Sequence, residues 1–239
     1  MKKILLNASS LLVLAAAFSG AVATAQAADL SAAPVYKAPP PVDVWNPWMI
    51  RVRALGVLPD ASGSSVNVTG VPALSSPNSG LSIGDSVVPE LDISYFFTRN
   101  IAAELILGVT RHSISGTGTL AGLDIGKAWL LPPTLTLQYH FTNFGAFQPY
   151  IGGGVNYTVF FDQSAANTPL NGLAVTGLSI NNSFGAVAQI GFDYMLDRHW
   201  GLNVDLKKIF LEPNYTATVN NAIAVSGRAD INPWLVGAG

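Results

Sequence analysis

Three features of this 239-residue sequence predict an all-β fold, namely an eight-stranded antiparallel transmembrane β-barrel of the outer-membrane type. Eight stretches alternate apolar and polar residues with period two, the spacing of side chains on a half-buried strand. The connections between them are short and long in turn, as in barrels with tight periplasmic turns and long outer loops. The N-terminus reads as a secretory signal, and no later apolar run is long enough for a membrane-crossing helix, which leaves strands to do the crossing.

Lys2 and Lys3 precede an apolar stretch over 4–18, and small residues follow through Ala25-Gln26-Ala27. That order marks residues 1–27 as a signal peptide cut after Ala27. A retained transmembrane helix is the competing reading, and Asn7, Ser9 and Ser10 interrupt the run that it needs. Residues 28–45 include Pro34 and Pro39-Pro40-Pro41, which favour extended polyproline II and withhold backbone donors, so they read as a periplasmic leader. The barrel is expected over 46–239.

Its strands are expected at 48–57, 88–97, 101–110, 134–141, 150–161, 183–194, 200–209 and 228–239, the last being weaker because Pro233 disturbs its phase. Connections at 98–100, 142–148 and 196–199 are short, and those at 58–87, 111–133, 162–182 and 211–227 are long. Trp48, Tyr95, Phe97, Tyr139, Phe141, Tyr150, Tyr194 and Trp200 cluster at the short-turn ends, where an interfacial aromatic girdle belongs, and Phe161 and Phe210 mark the other rim. Leu91, Leu105, Leu137, Val155, Ile190 and Val204 are expected to face lipid. A soluble β-sandwich also alternates its faces, but its loops do not alternate in length. Charged residues make up 11% of the chain against 49% hydrophobic, which suits a protein with little water-facing wall. The net charge of -2 provides no basic surface for nucleic acid.

Eight strands enclose a lumen wide enough for side chains or one small ligand, so a broad aqueous pore is excluded on size. The inward-facing residues sort by depth. Arg51, Arg53, Glu90, Asp92, Glu104, Gln138, His140, Asp193 and Asp205 fall in the periplasmic half or near the middle and form a polar plug. Leu55, Val57, Val88, Ile106, Leu130, Phe160, Val187 and Ile209 fall toward the outside and form an apolar cup. Lys207 departs slightly from this sorting, and Arg228 and Asp230, at the head of the eighth strand, depart further. Arg51 and Arg53 should pair with Glu90 and Asp92 on the next strand, because an unpaired buried charge is costly.

Catalysis finds no support. His112, His140 and His199 are scattered, and no HExxH, GxSxG or phosphate-cradling glycine loop is present. With no cysteine, neither a disulfide nor a thiolate metal site can form, and no cofactor is expected. Gly152-Gly153-Gly154 sits within a strand, where glycines more often permit bending or close packing than ligand binding.

Several stretches taken together resemble the OmpW family of small outer-membrane barrels: Pro132-Pro133-Thr134-Leu135-Thr136-Leu137-Gln138-Tyr139-His140-Phe141; Pro149-Tyr150-Ile151-Gly152-Gly153-Gly154-Val155-Asn156-Tyr157 with Phe160-Phe161; Gly191-Phe192-Asp193-Tyr194 before Trp200; Lys207-Lys208-Ile209; and Asn232-Pro233-Trp234. The resemblance implies an eight-stranded barrel with a narrow, partly hydrophobic lumen and passage of small hydrophobic molecules across the outer membrane. Barrels of this kind normally end on an aromatic residue, whereas this chain stops at Val236-Gly237-Ala238-Gly239, so its last strand reads as shortened. The expected partners are outer-membrane lipid, a small hydrophobic solute, and the barrel assembly machinery with its periplasmic chaperones. The alternative function is a structural or adhesive barrel whose long loops bind a partner outside.

Overall fold

The computed structural model describes residues 45–239; the signal peptide and the leader expected upstream of Trp45 lie outside the described residues. Fifteen strands follow in order. Eight of them close the barrel: β1 (Trp48–Leu58), β4 (Ser86–Phe96), β5 (Ile101–Gly108), β8 (Thr134–His140), β9 (Phe147–Ala165), β11 (Ser183–Met195), β12 (Gly201–Phe210) and β15 (Trp234–Ala238). Each pairs antiparallel with its neighbours, and β15 closes the ring by pairing with both β12 and β1. Closure satisfies the backbone donors and acceptors that lipid cannot.

The alternation sets the two faces. Leu137, Val155 and Ile190 are 59%, 59% and 56% exposed on the outer wall, while their strand neighbours Gln138, Asn156 and Gln189 are buried inside. Leu91, Leu105 and Val204 are exposed on the same wall. At the short-turn end the aromatic side chains pack edge to face, Trp48 against Tyr95 at 4.8 Å, Tyr95 against Phe97 at 5.4 Å and Tyr139 against Phe141 at 5.0 Å. The tight turn between β11 and β12 is held by Asp197, whose carboxylate accepts from the backbone N–H of His199 and Trp200 at 2.6 and 2.8 Å. These bonds hold that carboxyl below its ordinary range.

The long connections are not loops. They contain β2 (Asn67–Val68), β3 (Ser79–Ile83), β6 (Thr110–Gly118), β7 (Asp124–Leu131), β10 (Val175–Ile180), β13 (Asn214–Val219) and β14 (Ile223–Arg228). β6 and β7 continue β5 and β8 in unchanged register, from Ile101 opposite Tyr139 up to Ser113 opposite Lys127. The hairpin is interrupted at Val109 and at Pro132-Pro133, where proline has no N–H to give. The expected eighth strand over 228–239 is corrected by this arrangement. Arg228 belongs to β14, Asp230 to a connection, and the barrel strand begins at Trp234, after Pro233.

Beyond the barrel strands the chain forms two sheets. One joins β3, β6, β7 and the upper part of β9; the other is β10, β13, β14 and β2. Each buries apolar side chains in one continuous cluster that runs down to Leu55, Val57 and Ile209 in the barrel. The two sheets part where β9 and β10 separate. β9 leaves β11 above Thr158 and stays with β7, while β10 pairs with β13. Side chains bridge the seam: Gln163 Nε2 donates to the Ile180 carbonyl at 2.9 Å, Gln163 Oε1 accepts from the Ile180 N–H, and Asn182 Oδ1 accepts from the Phe160 N–H at 2.9 Å. Higher up, one backbone bond, Asn167 N–H to the Val175 carbonyl at 3.0 Å, closes it.

Candidate functional site

The lower lumen is filled by charged side chains. Arg51 grips Asp193 with two parallel bonds of 3.0 and 2.8 Å and reaches Glu104 at 2.8 Å and Ser94 at 2.9 Å. Arg53 lies 3.0 Å from Glu90 and 2.6 Å from Asp92, contacts whose angles fall outside hydrogen-bond geometry, and donates to Asn203 at 2.8 Å. Lys207 sits above, 3.0 Å from Glu90 and 2.7 Å from Asp205. Gln138 and Gln189 both donate to Glu104, at 2.6 and 2.9 Å, and Gln189 also donates to Asp205 at 2.8 Å. His140 stacks on Tyr150 at the bottom, with Nε2 3.0 Å from Gln138 Oε1. All of these side chains are buried, so the layer closes the axis of the barrel.

This geometry refines the pairing expected from sequence. Arg51 stands opposite Asp92 in the β1–β4 register, yet it crosses the lumen to Asp193 on β11 and Glu104 on β5, and Asp92 pairs with Arg53. The barrel is narrow enough for a guanidinium to span it, and two bonds to one carboxylate are stronger than a single cross-strand contact. Tyr150 was expected in the interfacial girdle; it is instead fully buried in the lumen, its hydroxyl donating to Asp205 at 2.7 Å. The phase of β9 decides this, because Tyr150 shares its face with the buried Asn156, Thr158 and Phe160. Lys207 fits the layer by capping Glu90 and Asp205. Gln189, Asn203 and Tyr150 complete it and were missing from the sequence-based set, although their inward phase was a signal that could have found them.

Apolar surface begins directly above Lys207. A lower cavity is lined by Leu55, Val57, Ile106, Leu130 and Ile209, with Glu90 and Lys207 at its floor. Val187 is buried in the same apolar cluster, and Val88 is half-buried against it. One wall is more polar than expected: Thr110, Thr134 and Thr158 face the cavity. The Thr158 and Thr134 hydroxyls donate to Asn156 Oδ1 and to the Pro132 carbonyl, at 2.7 and 3.0 Å. A middle cavity, lined by Leu81, Ile83, Ile125, Phe160 and Ile180 among others, shares His112, Leu130 and Ile231 with the lower one. An upper cavity between the outer sheets, bounded by Val66, Val175 and Val225, shares Leu81, Ile125 and Tyr215 with the middle one. The result is one apolar column standing on a floor of ion pairs.

A scan against family models matches residues 47–239, all eight barrel strands, to the OmpW family. The chain belongs to the OmpW family. An outer-membrane protein of Sinorhizobium fredii, y4mB, is 53% identical, covering 90% of this chain and 88% of its own. Outer membrane protein W of Vibrio cholerae is 34% identical, covering 87% of this chain and 91% of its own. Among solved structures, the outer membrane protein OprG of Pseudomonas aeruginosa superposes with a TM-score of 0.71 at 28% identity, covering 80% of this chain and 92% of its own. The OmpW-family barrel described here is therefore a multi-pass protein of the outer membrane, embedded in its lipid.

Proposed function

We propose that this OmpW-family barrel takes up small hydrophobic molecules into its apolar column and releases them sideways, between β9 and β10, into the outer-membrane lipid. The observation that carries the reading is the direct stacking of apolar cavities on a closed floor of buried ion pairs. A hydrophobic solute entering the column gains on the order of 25 cal/mol per Å² of apolar surface removed from water. Passing the Arg53, Glu90, Asp92 and Lys207 layer would break buried ion pairs and offer nothing in return. The wall beside Phe160 is the weaker barrier. Side chains of Gln163 and Asn182 hold that seam in place of a continuous backbone ladder, and they can swing away without unzipping a strand pair.

The test is uptake of a fluorescent polycyclic aromatic probe across an outer membrane whose outer leaflet is lipopolysaccharide. Phe160→Asp puts an unpaired charge into the column and is expected to reduce uptake strongly. Gln163→Ala loosens the seam and should keep or raise it. Per folded molecule, as read from heat-modifiable migration, Arg51→Ala combined with Glu90→Ala should leave uptake near the unaltered level while raising ion leak. If the double alanine variant abolishes uptake and Phe160→Asp does not, the solute takes a polar route down the axis and the proposal fails.

A further inference from the structure

His112 lies on β6, buried among apolar side chains at the junction of the lower and middle cavities. Its Nδ1 is 2.6 Å from the carbonyl oxygen of Gly84. A carbonyl only accepts, so the proton of the neutral ring sits on Nδ1 and Nε2 carries a free lone pair. Burial favours the neutral ring and holds the imidazole below its ordinary value, although the Gly84 bond and the charge of Asp85 pull the other way. No hydrogen bond from a described residue reaches Nε2. Of the other polar groups lining this part of the column, the Thr110 hydroxyl has no hydrogen bond to a described residue, and the rest are engaged. Tyr215 donates its hydroxyl to the Ser65 carbonyl at 3.0 Å, Thr134 and Thr158 donate as described above, and Glu90 and Lys207 hold each other.

We infer that His112 is a binding residue for hydroxylated hydrophobic solutes, accepting through Nε2 the hydrogen bond of an alkanol or phenol lodged where the two cavities meet. The inference rests on the uptake route proposed above and adds a chemical selectivity to it. A solute without a donor leaves Nε2 unpaired, whereas a hydroxyl supplies its missing hydrogen bond. The column is then a sieve that favours apolar molecules carrying one hydroxyl over equally apolar molecules carrying none.

The experiment uses the full chain in lipid nanodiscs, with 15N-labelled histidine, titrated with n-octanol and with its isomer heptyl methyl ether. The isomers share composition, but only the alcohol donates. The alcohol should bind about fivefold more tightly and shift the His112 Nε2 resonance, the size expected of one neutral hydrogen bond. His112→Phe, which keeps a ring in the column, should equalise the two affinities, and His112→Gln, which restores a carbonyl acceptor, should keep the preference. Folding of both variants is read from heat-modifiable migration. Equal affinities in the unaltered protein, or a preference that survives in His112→Phe, would overturn the role of His112 while leaving the column intact. Failure of both isomers to bind the unaltered protein would overturn both the column reading and this one.

Discussion

Arg53 shows how much depends on one side chain inside this barrel. Its guanidinium touches Glu90, Asp92 and Asn203, and neither it nor Asp92 has measurable contact with solvent. Removing one member of such a group leaves the others charged and dry, which costs about 3 to 5 kcal/mol. Arg53→Ala is therefore expected to lower stability by that amount in urea unfolding from lipid. Arg228→Ala is the control. Its partner Glu212 lies 3.2 Å away, both side chains are about half exposed, and such surface pairs contribute roughly 0 to 1 kcal/mol. The inward phase of Arg51 and Arg53 was legible from the alternation of β1, and Arg53 does meet the carboxylates of the adjacent strand. The reach of Arg51 to Asp193 was not legible, because those residues are 142 positions apart and become neighbours only when the ring closes.

At the scale of the element, the glycines of β9 explain how two strands approach so closely. A Cβ on Gly154 would lie 2.0 Å from the backbone oxygen of Leu135 on β8, an overlap that only moving the strands apart can relieve. A Cβ on Gly153 would meet its nearest atom, the Val187 oxygen, at 3.6 Å, an ordinary contact. Gly154→Ala is expected to weaken the β8–β9 pairing and reduce the folded yield seen by heat-modifiable migration, while Gly153→Ala should migrate like the unaltered protein. Bending or close packing was the expected use of these glycines; which of the three is indispensable depends on the register with β8. The β13–β14 hairpin was also readable in part. Tyr215, Ala217 and Val219 alternate apolar residues with period two, and the turn places Asn220 and Asn221 at φ 49° and 56°, a region that asparagine tolerates. Within the long connection at 211–227, strands of six residues such as β13 and β14 give too short an alternation to stand out from a loop.

The whole molecule divides at the aromatic rim into a barrel that holds it in lipid and two outer sheets that enclose most of the apolar column. Replacing 214–228 with a short turn removes β13 and β14 and uncovers that column, but it leaves every barrel strand and its pairing in place. The shortened protein should still insert and show heat-modifiable migration, and its uptake of the aromatic probe should fall to the level of a membrane without the protein. Loss of insertion would show instead that the outer sheets are needed to build the barrel. The barrel and the facing of strands such as β1, β9 and β11 are legible in the alternation of apolar and polar residues, whereas the start of the last barrel strand at Trp234 is not. A period-two pattern is local, and lipid and lumen act on each strand separately. The bonding of Arg51 across the lumen and the folding of the long connections into two sheets parted at Gln163 are settled only when the ring closes. So is the place of His112 at the junction of two cavities. These features depend on which distant strands become neighbours, and that choice is made by closure of the ring and by the joint burial of apolar faces that no single segment can cover alone.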